Sequence, residues 1–324
     1  MSGGAGADAD GELHVALAAD DAYLPHCAAV LSSLRAHDHA APLHAHLLHP
    51  AELGTDALAR LVSMSDGQTL TITPHPIAPR RVAGLPAWGR IPQTMWYRVL
   101  LPELLPAADR VLYVDADVLV VDSLAPLWAT PLADHWVAAV TNVPERHMLG
   151  HAAGLGLPGP QAYFNSGVLL FNLAAMRRDH RTEALLDCAR EHAGRLLWPD
   201  QDALNLVLAP RRRVLHPRWN VMNSMRRFAW AGELLGETEA SEAIDRPGIV
   251  HFEGPRENKP WHVLCDHPYR ERYAEHRRDT PWPHVRREGL TPAGCVQLLR
   301  RRAGRGGRRG RGPFPSPPHP AVRA

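Results

Sequence analysis

A dense run of branched apolar residues that contains two carboxylates constrains the fold more than any other feature of this chain. Residues 110–121 read RVLYVDADVLVV, and Asp115 and Asp117 stand inside the apolar pattern. Such a run is typical of a strand in a parallel sheet that is covered on both faces, where an unpaired charge is costly. The two carboxylates therefore need a partner that stabilises them.

The rest of the sequence alternates between strand-like and helix-like patterns. Strands are predicted at 12–20, 43–49, 68–75, 110–121, 136–142, 167–173 and 248–253, and helices at 24–37, 51–64, 94–105, 174–195 and 200–209. This alternation favours an α/β fold with a mostly parallel central sheet flanked by helices. Ligands of such sheets bind outside the carboxyl ends of the strands, where residues 115–117 are expected to emerge.

The two ends of the chain differ in composition from the middle. Residues 1–11 are small, polar and acidic and are predicted to be a disordered leader, residues 12–285 a folded domain, and residues 286–324 an Arg/Pro-rich, largely disordered tail. The formal net charge of +2 selects no nucleic-acid partner. The leader lacks the pattern of a secretion signal, and no apolar run approaches the ~18 residues of a membrane span, so a cytoplasmic location is expected. The basic tail can contact an anionic membrane at the inner face; the alternative is a solvated tail without a dedicated partner.

The cysteines and the single lysine carry different information. Cys27, Cys188, Cys265 and Cys295 have no metal-ligand spacing and are expected to be reduced thiols. Among 36 Lys and Arg residues only Lys259 is a lysine, which indicates a bias towards arginine wherever either residue would serve. Lys259 therefore marks a position where arginine does not serve, unless its identity is a matter of chance.

The chemistry of the acidic pair points to a hard divalent cation. Asp115 and Asp117 are two residues apart, so at a strand end both carboxylates can converge on one ion. Mg²⁺ and Mn²⁺ take carboxylate oxygens and complete their coordination with the phosphate oxygens of a substrate. The alternative is that one of the two residues caps a helix or pairs with a basic side chain.

Five segments, in this order and spacing, resemble glycosyltransferase family 8, whose members transfer sugars with retention of anomeric configuration. They are AADDAYLPHCAAVLSSL at 18–34, TMWYRVLLPELLPAADRVLYVDADVLVVDSLAPLW at 94–128, AYFNSGVLLFNLAAMR at 162–177, PDQDALN at 199–205 and GIVHFEGPRENKPWH at 248–262. The resemblance covers roughly residues 13–265. It implies a GT-A (Rossmann-like) fold, a UDP-sugar donor, Mn²⁺ or Mg²⁺, and transfer of a hexose to an acceptor hydroxyl.

The resemblance also assigns roles to individual residues. Asp115, Asp117 and His251 match the family's metal ligands, although a lone histidine on an apolar strand is by itself more often a core residue. The donor-binding positions matched are Ala18, Asp20, Tyr23, Arg98, Asp115, Ala116, Asn165, Gly254 and Lys259. Among these, Tyr23 can stack on uracil, Asp20 can accept the base N–H, and Lys259 matches the residue that binds the diphosphate. The alternative for Tyr23 is a core aromatic residue, and for Arg98 an ordinary ion pair.

Gln201, Asp200 and Lys259 are the candidate catalytic residues. Gln201 falls where the family places a polar group on the β-face of the anomeric carbon. Because an amide is a poor nucleophile, the resemblance favours front-face attack by the acceptor, with the leaving phosphate assisting deprotonation. The alternative for Asp200 is an N-cap, since PDQDALNLVL begins like a helix.

Three positions depart from the family pattern. Ala22 replaces an asparagine expected near the nucleotide, and four residues, PREN, lengthen the loop between Gly254 and Lys259. Asn142 stands where a sugar-binding aspartate can occur, which leaves galactose and glucose both open as the donor sugar.

Two other functions remain as alternatives. One is a Mg²⁺-dependent phosphatase with a strand-borne DxD motif, although Leu119 stands where that chemistry needs Thr or Val. The other is a sugar-nucleotide-binding protein that does not turn over. The acceptor, whether glycan, lipid, protein or small molecule, is not readable from the variable segments 143–161 and 222–247.

Overall fold

The computed structural model describes residues 11–37, 42–87, 93–285 and 287–306, with the backbone alone for residues 301–306. The strands of these residues, β1 to β10, are Leu13–Ala18, Leu43–Pro50, Leu70–Ile77, Arg110–Val114, Val118–Val120, Val137–Thr141, Phe164–Asn172, Arg212–Val214, Val221–Met222 and Ile249–His251. The α-helices, α1 to α13, are Leu24–His37, Thr55–Val62, Leu101–Leu104, Ala125–Trp128, His151–Gly154, Leu173–Arg178, Arg181–Glu191, Pro199–Leu208, Asn223–Arg227, Ala231–Leu235, Glu237–Asp245, Arg270–Arg278 and Pro292–Gly306. Short 3₁₀ helices occupy Pro79–Arg81, Gln93–Leu100, Arg146–Met148, Pro160–Ala162, Ala209–Arg211, Pro217–Asn220 and Arg256–Asn258.

A seven-stranded sheet organises the molecule, with the strand order β3-β2-β1-β4-β7-β6-β8. Its neighbouring strands are parallel except where β7 pairs antiparallel with β4 and β6. The α/β fold with a mostly parallel sheet, predicted from the sequence, is therefore confirmed. The chain leaves β1 towards β2 on one side and returns to β4 on the other, so the loops after β1 and β4 meet at a switch point where such sheets bind ligands.

Both faces of this sheet are buried, which explains the nearly continuous apolar runs of its strands. On one face Val15 and Leu112 join a core that includes α1. On the other face Ala16 and Tyr113 join a second core that includes Trp96 and the helices α6 to α8. The predicted helix over 94–105 begins as the 3₁₀ helix Gln93–Leu100 and continues as α3.

A second sheet of three short strands, in the order β5-β10-β9, lies beside the switch point. β10 runs antiparallel to β5, and the pairing sets His251 opposite Val118. A third apolar cluster, which includes Leu119, Val250 and Phe252, packs this sheet against α1 and α12. The pairing of β10 with β5 therefore brings His251, from late in the sequence, close to Asp115 and Asp117.

The predicted strand 110–121 is divided in two, although residues 115–117 emerge at a strand end as expected. β4 ends at Val114, residues 115–117 form a break, and β5 then belongs to the second sheet. The break is fixed by hydrogen bonds from Asp115 N to Gly167 O (2.9 Å) and from Phe252 N to Asp117 O (2.9 Å). The buried carboxylate of Asp117 and the partly buried carboxylate of Asp115 are more stable here than inside a regular ladder between apolar faces.

The predicted helix over 174–195 is two helices. α6 ends at Arg178, and His180 takes a left-handed conformation with φ of 51° before α7 begins. The Asp179 carboxylate between them accepts a hydrogen bond from Trp136 Nε1 at 2.7 Å. The chain therefore turns at Asp179 and His180, where the hydrogen bond from Trp136 fixes the Asp179 side chain.

The tail contains more structure than its composition indicates. The helix Pro292–Gly306 lies inside the segment 286–324, and it begins with proline in the first turn. Residues 1–10 and 307–324 lie outside the described residues, so disorder there stays a prediction. All four cysteines are described, and each is a free thiol. No helix within the described ranges is long and apolar enough to cross a membrane.

A buried histidine joins α1 to the C-terminal part of the domain. The ring of His26 stacks on Trp261 with centroids 3.5 Å apart, and its Nδ1 shares a 2.6 Å hydrogen bond with Tyr273 Oη. Burial, reinforced by the positive charge of Arg277, lowers the pKa of His26 to about 3. The imidazole is therefore neutral in the folded protein.

We expect His26 to make the stability of the protein depend on pH. In the unfolded chain this histidine takes up a proton near pH 6.5, whereas the folded protein resists protonation down to about pH 3. The stability contributed by the neutral ring is thus complete above pH 6.5 and is lost as the pH falls towards 3. In His26→Phe, the slope of the unfolding free energy between about pH 5.5 and about pH 4 should decrease by about 1.4 kcal/mol per pH unit, measured by urea denaturation.

Tyr273→Phe is the matched control, because it removes the same hydrogen bond but keeps the titrating ring. Each variant should lose about 1 kcal/mol at neutral pH, but only His26→Phe should flatten the pH dependence. Equal slopes in His26→Phe and the parent protein would contradict this account.

Candidate functional site

Three side chains from distant parts of the sequence converge beside the switch point. Asp115 and Asp117 lie in the break after β4, and His251 is the last residue of β10. Each offers one ligand atom, and these atoms all lie within 4.8 Å of one another. The residues predicted as metal ligands are therefore close enough to share one cation.

The ring of His251 is oriented by an amide on its far side. His251 Nδ1 lies 2.9 Å from Asn220 Oδ1, and His251 Nε2 faces Asp117 Oδ1 at 3.3 Å. Asn220 in turn donates from Nδ2 to Asn165 Oδ1 at 2.9 Å. Because Asn220 holds Nδ1, Nε2 is the ring atom that faces the carboxylates, and a metal ion could replace its proton there; metal-binding imidazoles are oriented in the same way.

Gly167 on β7 leaves room for this cluster. A Cβ atom there would lie 2.3 Å from His251 Cε1 and 3.0 Å from Asp115 Oδ2. No side chain fits at such distances without displacing the cluster. The absence of a side chain at residue 167 is therefore a condition for the convergence of the three groups.

Lys259 provides the nearest positive charge to the acidic pair. Its Nζ pairs with Asp117 Oδ2 and donates to Phe252 O at 3.0 Å. Burial alone would raise the pKa of Asp117, but Lys259 and His251 hold it well below its usual range. Burial opposes protonation of His251, yet Asp117 outweighs this effect and raises the pKa of the imidazole. The charges thus stabilise one another.

Arg98 connects the cluster to the helix α8. Its Nη2 lies 3.0 Å from Asp115 Oδ1 and 3.5 Å from Asp200 Oδ2, and its Nη1 donates to Ser166 O at 2.6 Å. The guanidinium also packs over the ring of Tyr113, 4.3 Å from its centroid. Burial opposes its charge, but Asp115 and Asp200 raise the pKa of Arg98. Arg98 therefore forms ion pairs with Asp115 and Asp200 and fixes the position of Asp115, while its contact with the donor stays a prediction.

Gln201 is held by a dense set of hydrogen bonds. Its Oε1 accepts from Ser166 N at 3.0 Å and from Asn165 Nδ2 at 3.3 Å, and its Nε2 donates to Tyr163 Oη at 3.1 Å. The amide is therefore positioned rigidly at the rim of the site. Such an amide can accept from or donate to a hydroxyl but is a weak nucleophile.

Asp200 lies in the first turn of α8, and the alternative that it is the N-cap is wrong. The N-cap position is Trp198, and Asp202 accepts from the backbone of Leu197 at 2.7 Å and Trp198 at 3.1 Å. From the first turn of the helix, the Asp202 carboxylate thus accepts hydrogen bonds from the backbone that leads into α8, as the acidic residue of a capping box does. Burial is the main cause that raises the pKa of Asp200 to about 6, with Arg98 opposing it.

The loop after β1 carries the residues matched to nucleotide binding. Asp20 Oδ1 accepts from the backbone N–H of Ala22 at 3.1 Å and Tyr23 at 3.2 Å, so it caps the start of α1. Tyr23 is 38% exposed, and its ring meets Trp261 edge-on with centroids 6.0 Å apart. Because more than a third of its surface is exposed, Tyr23 is not a core aromatic residue.

Three further matched positions offer backbone rather than side-chain groups. Ala18 ends β1, Ala116 lies between the two aspartates and is buried, and Gly254 has φ of 93°. A Cβ atom at Gly254 would lie 2.7 Å from Asn258 Nδ2, so this tight turn requires glycine. The extra residues that follow it form the 3₁₀ helix Arg256–Asn258, which ends directly before Lys259.

Sequence reasoning missed Asn220 and Gly167. Nothing in the local pattern around Asn220 distinguishes it, since its role depends on the side chain of His251, 31 residues away. Gly167 stands in the FNSG segment that resembles the family, and a glycine inside an apolar strand is itself a signal of close approach. Asn142 accepts weakly from Asn165 Nδ2 at 3.4 Å, which places it at the edge of the same network.

Comparisons with known proteins agree with this architecture. The chain matches the family model for glycosyl transferase family 8 over residues 14–265. General stress protein A of Bacillus subtilis is 32% identical over 60% of this chain and 68% of its own length. The lipopolysaccharide 1,3-galactosyltransferase of Salmonella typhimurium is 25% identical over 63% of this chain and 60% of its own length.

A solved structure supports the same relationship in three dimensions. The galactosyltransferase LgtC, in complex with donor and acceptor sugar analogues, superposes with a TM-score of 0.75 at 28% identity. The superposition covers 83% of this chain and 96% of LgtC. Together with the family match, which spans most of the sequence, it shows that the chain has the GT-A fold and belongs to glycosyltransferase family 8.

Proposed function

We propose that this glycosyltransferase moves a hexose from a UDP-sugar to an acceptor hydroxyl, with retention of configuration and with a divalent metal ion bound. The observation that carries the proposal is the convergence of Asp115, Asp117 and His251, with Lys259 in contact with the same cluster. The donor set fits Mn²⁺ or Mg²⁺, because two carboxylates and one neutral imidazole suit such ions. The space that Gly167 leaves supports the fit.

The metal would supply electrostatic stabilisation of the diphosphate as the leaving group departs. Lys259 would neutralise a further phosphate oxygen, because its ammonium already lies at the acidic pair and donates to a backbone carbonyl. A compact ammonium on a long side chain can shift from Asp117 to a phosphate nearby. Arg98 would act indirectly, by holding Asp115 between Tyr113 and Asp200.

The nucleotide would lie over the loop after β1. The partly exposed ring of Tyr23 can stack on a base. Because β1 and β4 are parallel neighbours, the loops that follow them lie at the same edge of the sheet. Asp20 would use its second carboxylate oxygen for the base N–H, since its Oδ1 caps α1. Ala18, Ala116 and Gly254 would contribute backbone contacts.

The sugar would be recognised by the amides around Gln201. Asn165 and Gln201 can exchange hydrogen bonds with sugar hydroxyls, and their mutual bonds fix their directions. Because Gln201 is an engaged amide, we propose front-face attack by the acceptor, with a leaving phosphate oxygen accepting the acceptor proton. We also propose a catalytic role for Asp200, the residue that precedes Gln201 in α8.

The acceptor is proposed to be a glycan. Curated relatives of this chain include a lipopolysaccharide 1,3-galactosyltransferase and the lipopolysaccharide glucosyltransferase WaaO of Escherichia coli. This chain spans about 60% of the length of these two relatives, so their acceptors are not carried over and only the class of acceptor is proposed. A membrane contact through the basic tail is a separate proposal, because most of the tail lies outside the described residues.

The test is the release of hexose or UDP from UDP-glucose and UDP-galactose, with Mn²⁺ and with a chelator. We expect Mn²⁺-dependent turnover of one donor. Release of phosphate from monoesters would instead favour the phosphatase alternative, which family membership does not support. Donor binding without any turnover would favour the silent sugar-nucleotide-binding protein.

Asp115→Asn should lower donor turnover by about 100-fold or more, because it removes one carboxylate ligand and the partner of Arg98. The measurement is the turnover rate at saturating UDP-sugar and Mn²⁺. Asp122→Asn is the control, since Asp122 lies close by in sequence but pairs with Arg218 at the surface. Equal losses in both variants would count against a specific role of the acidic cluster.

Gly167→Ala should weaken Mn²⁺ binding by about tenfold or more, because the added methyl group displaces His251 and Asp115. Gly194→Ala is the matched control, since a Cβ there meets nothing within 4 Å. Binding can be followed by the loss of the free Mn²⁺ signal in electron paramagnetic resonance. An unchanged affinity in Gly167→Ala would refute the proposed ligand geometry.

A further inference from the structure

Four histidines line one face of the sheet at β1, β2 and β3, away from the site described above. His14 and His44 are direct cross-strand partners, His46 lies two residues further along β2, and His75 lies on β3. The opposite face of the same strands is apolar, with Val15 and Ala45 in the core. A run of imidazoles on a sheet face has no role in the proposed transfer reaction and needs its own explanation.

The ring nitrogens of three of these histidines face one another. His14 Nδ1 lies 3.0 Å from His46 Nε2, and ligand atoms of His14, His44 and His46 all lie within 4.8 Å of one another. Glu12 adds a carboxylate, whose Oε2 lies 3.4 Å from His44 Nδ1 and 4.0 Å from His14 Nε2. Three imidazoles thus lie close enough to share one ion, and the carboxylate of Glu12 lies beside two of them.

The outer nitrogens of two rings are held by neighbours on β3. His44 Nε2 lies 2.8 Å from Thr73 Oγ1, and His46 Nδ1 lies 3.1 Å from His75 Nε2. These bonds fix the ring planes and leave His44 Nδ1 and His46 Nε2 directed towards Glu12 and His14. Metal-binding histidines are oriented in the same way, by a hydrogen bond from the nitrogen that does not coordinate.

The cluster favours neutral imidazoles, which are the form that binds metals. His46 is buried and contacts two of the other histidines, so a positive charge on its ring would be poorly solvated. The rings of His44 and His46 stack with centroids 4.2 Å apart, so charging both would place two cations in contact. The side chains of His14, His44 and Glu12 keep 16%, 23% and 23% of their surface exposed, so an ion can reach them from solvent.

We propose that Glu12, His14, His44 and His46 form a binding site for a divalent transition-metal ion such as Zn²⁺. A set of three imidazoles and a carboxylate suits Zn²⁺ and disfavours Mg²⁺ and Mn²⁺, which prefer oxygen ligands. The site is distinct from the acidic cluster, because His14 stands near the start of β1 whereas Asp115 follows the end of β4. A bound ion would cross-link β1 to β2.

The test is a count of tightly bound zinc. The full chain is stripped with a chelator, dialysed against Zn²⁺ in excess Mg²⁺, and assayed for metal by atomic absorption. The parent protein should retain one zinc ion per chain more than His44→Gln. His147→Gln is the matched control, since its imidazole is 71% exposed and lies outside the cluster, and it should retain the parent's zinc content.

Thermal stability and X-ray absorption test the zinc site independently of the metal count. Zinc should raise the thermal midpoint of the parent protein but not that of His44→Gln, and X-ray absorption should show imidazole nitrogens at about 2.0–2.1 Å. If His44→Gln does not fold, Glu12→Gln, a change just before the start of β1, should weaken zinc binding about tenfold. Equal zinc content and affinity in the parent protein and these variants would overturn the proposal, leaving the imidazoles as a hydrogen-bonded ladder.

Discussion

The burial of the Asp117 carboxylate is the constraint on which the rest of the site depends. A buried charge is costly unless ionic and hydrogen-bonding partners surround it, and here Lys259 and His251 do so. Both partners come from the last part of the domain, and the pairing of β10 with β5 brings His251 to Asp117. The break in the chain after β4, the second sheet and the loop before Lys259 all follow from this requirement.

The same need to pair buried charges and polar atoms explains the positions of the surrounding groups. Asp115 is the second charge of the pair, and Arg98 forms an ion pair with it. Arg98 also donates to Ser166 O and packs over the ring of Tyr113. Asn220 and Asn165 then satisfy the far side of His251. The site is consequently a closed network in which few side chains can change without affecting a ligand atom.

Much of the fold could be predicted from the sequence, because buried parallel strands leave long apolar runs. The acidic pair at a strand end and the family resemblance also led to the residues that the structure brings together. The break between β4 and β5 could not be predicted, since residues 118–120 are as apolar as residues 111–114. The roles of Asn220 and Gly167 depend on the position of His251, which only the pairing of β10 with β5 determines.

The central claim is that Asp115, Asp117 and His251 bind one cation together with the diphosphate of the donor. Its most direct test is anomalous diffraction at the manganese edge, from crystals grown with Mn²⁺ and UDP. The account predicts one anomalous peak bounded by the two carboxylates and His251 Nε2, with a phosphate of UDP completing the coordination and Lys259 on a phosphate oxygen. A peak without His251 as a ligand, or no peak between the three side chains while UDP is bound, would contradict it.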